Sequence, residues 1–155
     1  MRRAISVKEW VETLSKFNIQ GPESFAILEE SVTYGTNCFD LVFSDNPYVG
    51  LRFYYNNLDD TIIPVIIRIM IKKKDCKIDK EVLERILPSI LAAEEDEDVI
   101  LLALNVPKYE NLEELLEQMI EVAKNIKVLC GRNEDARLEG YVPTDCTRFI
   151  QVIGQ

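Results

Sequence analysis

The stretch CFDLVFSDNPYVGLRFYYNNLDDTIIPVIIRIMIK, residues 38–72, decides the fold. It holds three segments in which apolar and polar residues alternate or β-branched residues dominate, a pattern typical of strands. These segments are Cys38–Phe43, Tyr48–Tyr55 and Thr61–Lys72. Turns of four and five residues, rich in Asn, Asp and Ser, separate them. Because parallel pairing needs crossovers of a dozen or more residues, these short turns predict an antiparallel meander.

Helices are expected on one face of this sheet. The residues predicted near its centre are Ile63, Val65, Ile67 and Ile69. Pro64 has no amide hydrogen, so it belongs at the start of its strand or on an edge. The preceding segment, Ser24–Tyr34, carries aromatic and β-branched residues among polar ones and is also predicted as a strand.

Three helices are predicted around the sheet. The first begins at the capping box of Ser6 and Glu9 and carries an apolar stripe as far as Phe17. The third begins at the cap Asn111, has a continuous apolar stripe, and ends at Gly131.

The second helix begins at Asp79, and its end is open to two interpretations because Pro88 opposes helical hydrogen bonding. The helix either ends near Leu87 or kinks and continues to about Ala93. In the first case, Ile90–Glu95 can form a hairpin with the apolar strand that follows Asp98.

The chain is therefore expected to be an α+β protein with the order α-β-β-β(-β)-α-β(-β)-α and a C-terminal strand-like tail at Arg148–Ile153. At 155 residues it is predicted to form a single domain, residues 1–155. Its core is expected within residues 6–131, with residues 132–155 packing back or partly ordered.

The stretch DKEVLERILPSILAAEEDEDVILLALNVPKYENLEELLEQMIEVAKNI, residues 79–126, combines a short helix, an acidic turn, a strand and a long amphipathic helix. In this order of elements the chain resembles the type III secretion chaperone-like fold, which includes the YbjN-like family. The resemblance covers roughly residues 6–129 and implies a non-catalytic, often dimeric, protein-binding module.

Composition narrows the functions further. The chain has 27 acidic and 18 basic residues, a net charge of −9 and no histidine. The negative charge disfavours nucleic acid and membrane surfaces as partners. The absence of histidine excludes catalysis by an imidazole and any metal site that uses an imidazole ligand. No catalytic residue, cofactor or metal is predicted: the acidic run 94–98 is interpreted as a solvated turn, and the lysines at 72–74 as edge charges.

Four cysteines stand at positions 38, 76, 130 and 146. Without a leader or membrane-spanning segment in the sequence, a cytoplasmic location is expected, which favours unlinked thiols. The alternative is one or two disulfides in the cytoplasm of a thermophile, which the abundant isoleucine and valine also fit. Cys130 and Cys146 are predicted as the pair that meets, if any pair does.

The function predicted from the sequence is a non-enzymatic, chaperone- or adaptor-like module that binds another protein or pairs as a homodimer. Its anchors are expected to be the aromatic residues Trp10, Phe17, Tyr54 and Tyr55. The alternatives are a small enzyme or ligand-binding domain with a carboxylate and tyrosine site, and a structural or viral accessory protein.

Overall fold

The computed structural model describes residues 3–87 and 89–146. Over these residues the chain is an α+β protein with four helices and seven antiparallel strands, which confirms the predicted fold class. The helices are α1 (Val7–Lys16), α2 (Gly21–Tyr34), α3 (Lys80–Ile86) and α4 (Leu112–Leu129). The strands are β1 (Ile5–Ser6), β2 (Cys38–Ser44), β3 (Tyr48–Asn56), β4 (Thr61–Lys72), β5 (Ile90–Glu95), β6 (Val99–Leu104) and β7 (Gly140–Thr144).

The sheet runs in the order β5-β6-β4-β3-β2-β7, and β1 pairs with the beginning of β4. The predicted meander is therefore present as β2, β3 and β4 at its centre. The hairpin of β5 and β6 extends one side, and the non-local strand β7 extends the other. The strand predicted at Arg148–Ile153 lies outside the described residues, and β7 was missed.

Helix α2 corrects the strand predicted at Ser24–Tyr34. Pro22 lies in the first turn, where a missing amide hydrogen costs nothing, and Gly35 ends the helix in a left-handed conformation with φ of 99°. The residues buried on one side of the helix follow a helical spacing: Ser24, Ile27, Leu28 and Ser31. Because two of these four residues are serines, a search for apolar residues alone does not find the helical spacing.

The other helices follow their sequence signals closely. Ser6 caps α1 by accepting from the Glu9 amide at 3.1 Å, and Asn111 caps α4 by accepting from the Glu114 amide at 2.8 Å. Helix α3 ends at Ile86, and β5 then pairs with β6, so the hairpin alternative is confirmed. Pro88 itself lies outside the described residues.

A bulge in β4 changes which isoleucines face the helices. Arg52 pairs with Ile66 but Phe53 pairs with Pro64, so Val65 is the extra residue. The alternation therefore shifts: Ile67 and Ile69 join the helix-packed core as predicted, whereas on the other side of the bulge Ile62 replaces the half-buried Ile63. Val65 is buried but lies outside that core cluster.

Two disulfides join distant parts of the chain. Cys38 at the start of β2 is bonded to Cys146, which follows β7, and Cys76 is bonded to Cys130 at the end of α4. The predicted pairing of Cys130 with Cys146 is therefore wrong, and so is the expectation of four unlinked thiols. The cause is β7: its pairing with β2 brings Cys146 to Cys38, and a sequence-local argument cannot foresee that pairing.

Candidate functional site

Trp10, the first predicted anchor, is fully buried between α1 and the sheet. Its indole meets the rings of Phe39 and Phe53 edge to face, at centroid distances of 5.5 and 5.3 Å. Its Nε1 donates to the carbonyl of Ser24 at 3.0 Å, which satisfies its only donor. In this conformation Trp10 offers no surface to a partner and acts as a packing residue.

The other three predicted anchors lie closer to the surface, in two places. Phe17 follows α1 and lines a cleft of about 350 Å³ together with Ile120 of α4. Tyr54 and Tyr55 lie together at the end of β3, where Tyr54 is 39% exposed. The Tyr55 hydroxyl donates to Asp60 Oδ1 at 2.6 Å, and this hydrogen bond is the main cause that raises the pKa of Tyr55 to about 12.

The end of β3 is tied to the end of α2. Asn37, in the loop after α2, donates from its side chain to the Tyr55 carbonyl and to Asn57 Oδ1, both at 2.8 Å. Its backbone amide donates to the carbonyl of Ser31 within α2 at 3.0 Å. The last turn of α2 and the β3–β4 turn therefore form one joined region of the surface.

That region exposes large apolar side chains. Within the described residues, Leu58 in the β3–β4 turn is 93% exposed, Tyr34 at the end of α2 is 57% exposed, and Val32 is 37% exposed. Glu29, one turn earlier in α2, contributes with Asp60 to the raised pKa of Tyr55, which places it on the same side. We call this region the α2–turn surface, made up of Glu29, Val32, Tyr34, Leu58, Asp59 and Asp60.

The α2–turn surface belongs to a stretch of the chain that is almost without basic residues. Residues 17–67 contain seven acidic side chains and a single basic one, Arg52. Arg52 is 6% exposed and is bonded to Asp40, so it does not project positive charge at the surface. Charge and exposed apolar area therefore coincide at this end of the molecule.

A buried ionic cluster occupies the other face of the sheet. Asp40 of β2 is 2% exposed and accepts from Arg52 Nε at 2.9 Å and from the Tyr48 hydroxyl at 2.5 Å. Arg52 Nη2 also donates to Thr144 Oγ1 at 3.1 Å, so the cluster joins β2, β3 and β7. Buried charges are tolerated when they are paired and hydrogen-bonded in this way.

The chemistry of this cluster is structural. Burial, with the negative charge of Asp40, raises the pKa of Tyr48 far above its usual range, so its hydroxyl remains a donor at neutral pH. An arginine does not deprotonate in a protein. Neither group can therefore serve as a base or nucleophile near neutral pH, and both oxygens of Asp40 already accept hydrogen bonds.

Gly50 makes room for the cluster. A Cβ at this position would lie 2.6 Å from the Tyr48 hydroxyl and 2.9 Å from two of its ring carbons, Cε2 and Cζ. Tyr48 therefore crosses directly over Gly50 to reach Asp40. The crossing of Tyr48 over Gly50 was not predicted from the sequence, because a glycine within a strand is more often the sign of a bulge or of a close backbone approach.

Comparison with known proteins adds no assignment. No family model, curated protein or solved structure matches the chain. Among residues 3–87 and 89–146, no group of three or more Cys, Asp or Glu side chains could hold a metal ion. Across the same residues, no helix is both long and apolar enough to cross a membrane.

Proposed function

We propose that the protein is a non-enzymatic module that binds another protein through the α2–turn surface. The observation that carries the proposal is the nearly complete exposure of Leu58 in a turn that Asn37 joins to the end of α2, where Val32 and Tyr34 are also exposed. Single exposed apolar residues are ordinary at protein surfaces, whereas several large ones exposed in one region are typical of an interaction site.

The composition of the surface supports this proposal. Tyrosine supplies a large contact area and loses little conformational entropy on binding, which is why interfaces favour it. Tyr55, one of the anchors predicted from the sequence, donates its hydroxyl to Asp60 of this surface. The chaperone- or adaptor-like role predicted above is the class of function that such a surface suits.

The two disulfides bear on where the protein works. Disulfides persist in oxidising compartments and in the cytoplasm of hyperthermophiles. The predicted cytoplasmic location therefore requires the second setting, which the isoleucine-rich composition favours.

The proposal is tested by panning a display library of random 16-residue peptides on the full-length protein. Selected peptides should lose about ten-fold or more in affinity for the double variant Leu58→Ser, Tyr34→Ser, because the removed side chains supply the apolar contact area. The matched control is Val128→Ser, a similarly exposed apolar residue (52%) near the end of α4.

All variants should show unchanged thermal melts, since the substituted side chains are exposed. Peptides whose affinity is the same for the double variant and for wild type would show that binding does not use the α2–turn surface.

A further inference from the structure

We infer that the partner of the α2–turn surface presents a basic, apolar segment, with lysine or arginine interleaved among large apolar residues. This inference rests on the proposed function and specifies the chemistry of the partner. It follows from the charge around the exposed apolar side chains.

The acidic groups are placed so that they would surround a bound segment. Glu29 lies on the α2 side, and Asp59 and Asp60 lie on the turn side, next to the almost fully exposed Leu58. Asp60 accepts from Tyr55, and Asp59 accepts from the Thr61 hydroxyl at 2.6 Å, so both are oriented by neighbouring side chains. A partner docked on Leu58 would meet negative charge on both sides.

Among residues 3–87 and 89–146, no lysine or arginine forms an ion pair with Glu29, Asp59 or Asp60. Helix α2 contains no lysine or arginine, and the one basic residue in residues 17–67 is the buried Arg52. Some exposed acidic residues elsewhere are paired with a cation: Lys16 pairs with Glu113 at 2.8 Å, and Lys73 pairs with Glu95 at 2.6 Å. Within the described residues, the acidic groups of the α2–turn surface are therefore not neutralised by an ion pair.

This charge also argues against a second copy of the chain as the occupant. A two-fold interface brings the same patch of each subunit together. The acidic residues Glu29, Asp59 and Asp60 of one subunit would then lie against the same acidic patch of the other, and juxtaposed like charges are costly in an interface. A basic segment instead replaces repulsion with attraction and associates faster.

The experiment uses three synthetic 16-residue peptides with the same leucine and tryptophan positions and with lysine, glutamine or glutamate at every polar position. Their affinities for the full-length protein are measured by fluorescence anisotropy at 50 and 500 mM salt. The lysine peptide should bind at least ten-fold tighter than the other two at low salt, and most of this difference should disappear at high salt.

Charge reversal tests the location. Glu29→Lys and Asp59→Lys should each weaken binding of the lysine peptide about five-fold at low salt, because each replaces an attraction with a repulsion. Glu121→Lys on α4 is the matched control: it makes the same change in net charge at another exposed helical glutamate and should change affinity less than two-fold.

Each outcome decides between the two proposals. Equal binding of the lysine and glutamine peptides, or no binding of any of the three, would overturn this inference. The library selection and the Leu58 and Tyr34 variants would still test the proposed function. A dimer in sedimentation that Leu58→Asp dissociates would overturn it too, because the occupant would then be a second copy.

Discussion

Replacing Gly50 with alanine is expected to destabilise the protein by breaking the hydrogen bond from the Tyr48 hydroxyl to Asp40, in which Gly50 itself takes no part. The new methyl group would lie 2.6 Å from the Tyr48 hydroxyl, closer than atoms of this kind approach each other. Tyr48 must therefore move, and its 2.5 Å hydrogen bond to Asp40 is lost.

The expected cost follows from the two opposing effects. A hydrogen bond to a charged group contributes about 1.5–3 kcal/mol, and alanine regains about 0.5–1 kcal/mol over glycine in a strand because it restricts the unfolded chain. The net loss in the free energy of unfolding should therefore be about 0.5–2.5 kcal/mol. Tyr48→Phe removes the same hydrogen bond directly and should cost about 1.5–3 kcal/mol.

The double variant decides whether the two effects share one cause. If alanine acts by displacing the Tyr48 hydroxyl, combining both substitutions should cost about 1.5–3 kcal/mol less than the sum of the single losses, because that sum counts one hydrogen bond twice. The measurement is denaturation in guanidinium chloride followed by the fluorescence of Trp10, the only tryptophan. Losses that add to within about 0.5 kcal/mol would refute the reasoning, because independent sites behave that way.

Gly140→Ala is the matched control for this experiment. Gly140 also lies in a strand, and nothing lies within 4 Å of the position that a Cβ would take. The substitution should leave stability unchanged or raise it by a few tenths of a kcal/mol, which is the glycine effect without the clash.

Three further outcomes are expected. Trp10→Ala should lower the free energy of unfolding by about 3–5 kcal/mol, as for other buried aromatic residues, and a small loss in thermal melts with weakened peptide binding would restore its interface role. The folded state raises the pKa of Tyr55 to about 12, so the Tyr55 hydrogen bond should stabilise the protein fully below pH 10 and lose its effect between about pH 10 and 12. The melting temperature of Tyr55→Phe should therefore fall less than that of wild type across the same pH range. The unreduced, denatured protein should show no thiol that a thiol reagent can titrate, and four titratable thiols would contradict both disulfides. Substituting both Cys76→Ser and Cys130→Ser should lower the free energy of unfolding by about 2–4 kcal/mol.

The meander could be predicted from the sequence because its information is local. Each of β2, β3 and β4 alternates over at least six residues, and the turns between them are short. Helix α4 was equally clear, since its cap at Asn111 and its apolar stripe agree. Where pattern, cap and turn chemistry point the same way, the structure follows them.

The prediction for the segment of helix α2 was wrong because two of the four buried positions of this helix are serines. Ser24 donates to the Gln20 carbonyl at 3.0 Å and Ser31 to the Leu28 carbonyl at 2.7 Å, so each hydroxyl is satisfied within its own helix and can be buried. A pattern that counts serine as polar loses the helical period at these positions. The aromatic and β-branched residues that favoured a strand, such as Phe25 and Val32, are instead exposed.

Strand β7 and the disulfides depend on contacts between distant residues. Four cysteines allow three pairings, and the choice among them depends on β7 lying beside β2, about a hundred residues away in sequence. The segment contains Gly140 and Pro143, both poor strand formers, so it has little local preference for a strand. Its position comes from pairing with β2 and from the bonds of Thr144 to the buried cluster.

The candidate surface was only partly visible in the sequence. Tyr54 and Tyr55 indicated its neighbourhood, but Leu58 has no signal of its own, because an apolar residue in a turn is as compatible with burial as with exposure. The feature of the sequence that could have indicated the α2–turn surface is the uneven distribution of basic residues along the chain. A chain with 18 basic residues places only one of them in the third of its length that carries the surface.

The structural bonds around the α2–turn surface give its exposed groups a fixed arrangement before any partner binds. Asn37 joins the end of α2 to β3, the Thr36 hydroxyl donates to the Thr144 carbonyl, and the bond from Cys38 to Cys146 holds β7 at the same end. Association costs free energy whenever loops must become ordered, and this surface has already lost that freedom during folding. If the proposed partner binds here, the disulfide and the asparagine bridge would raise its affinity by holding the end of α2 and the β3–β4 turn in a fixed arrangement.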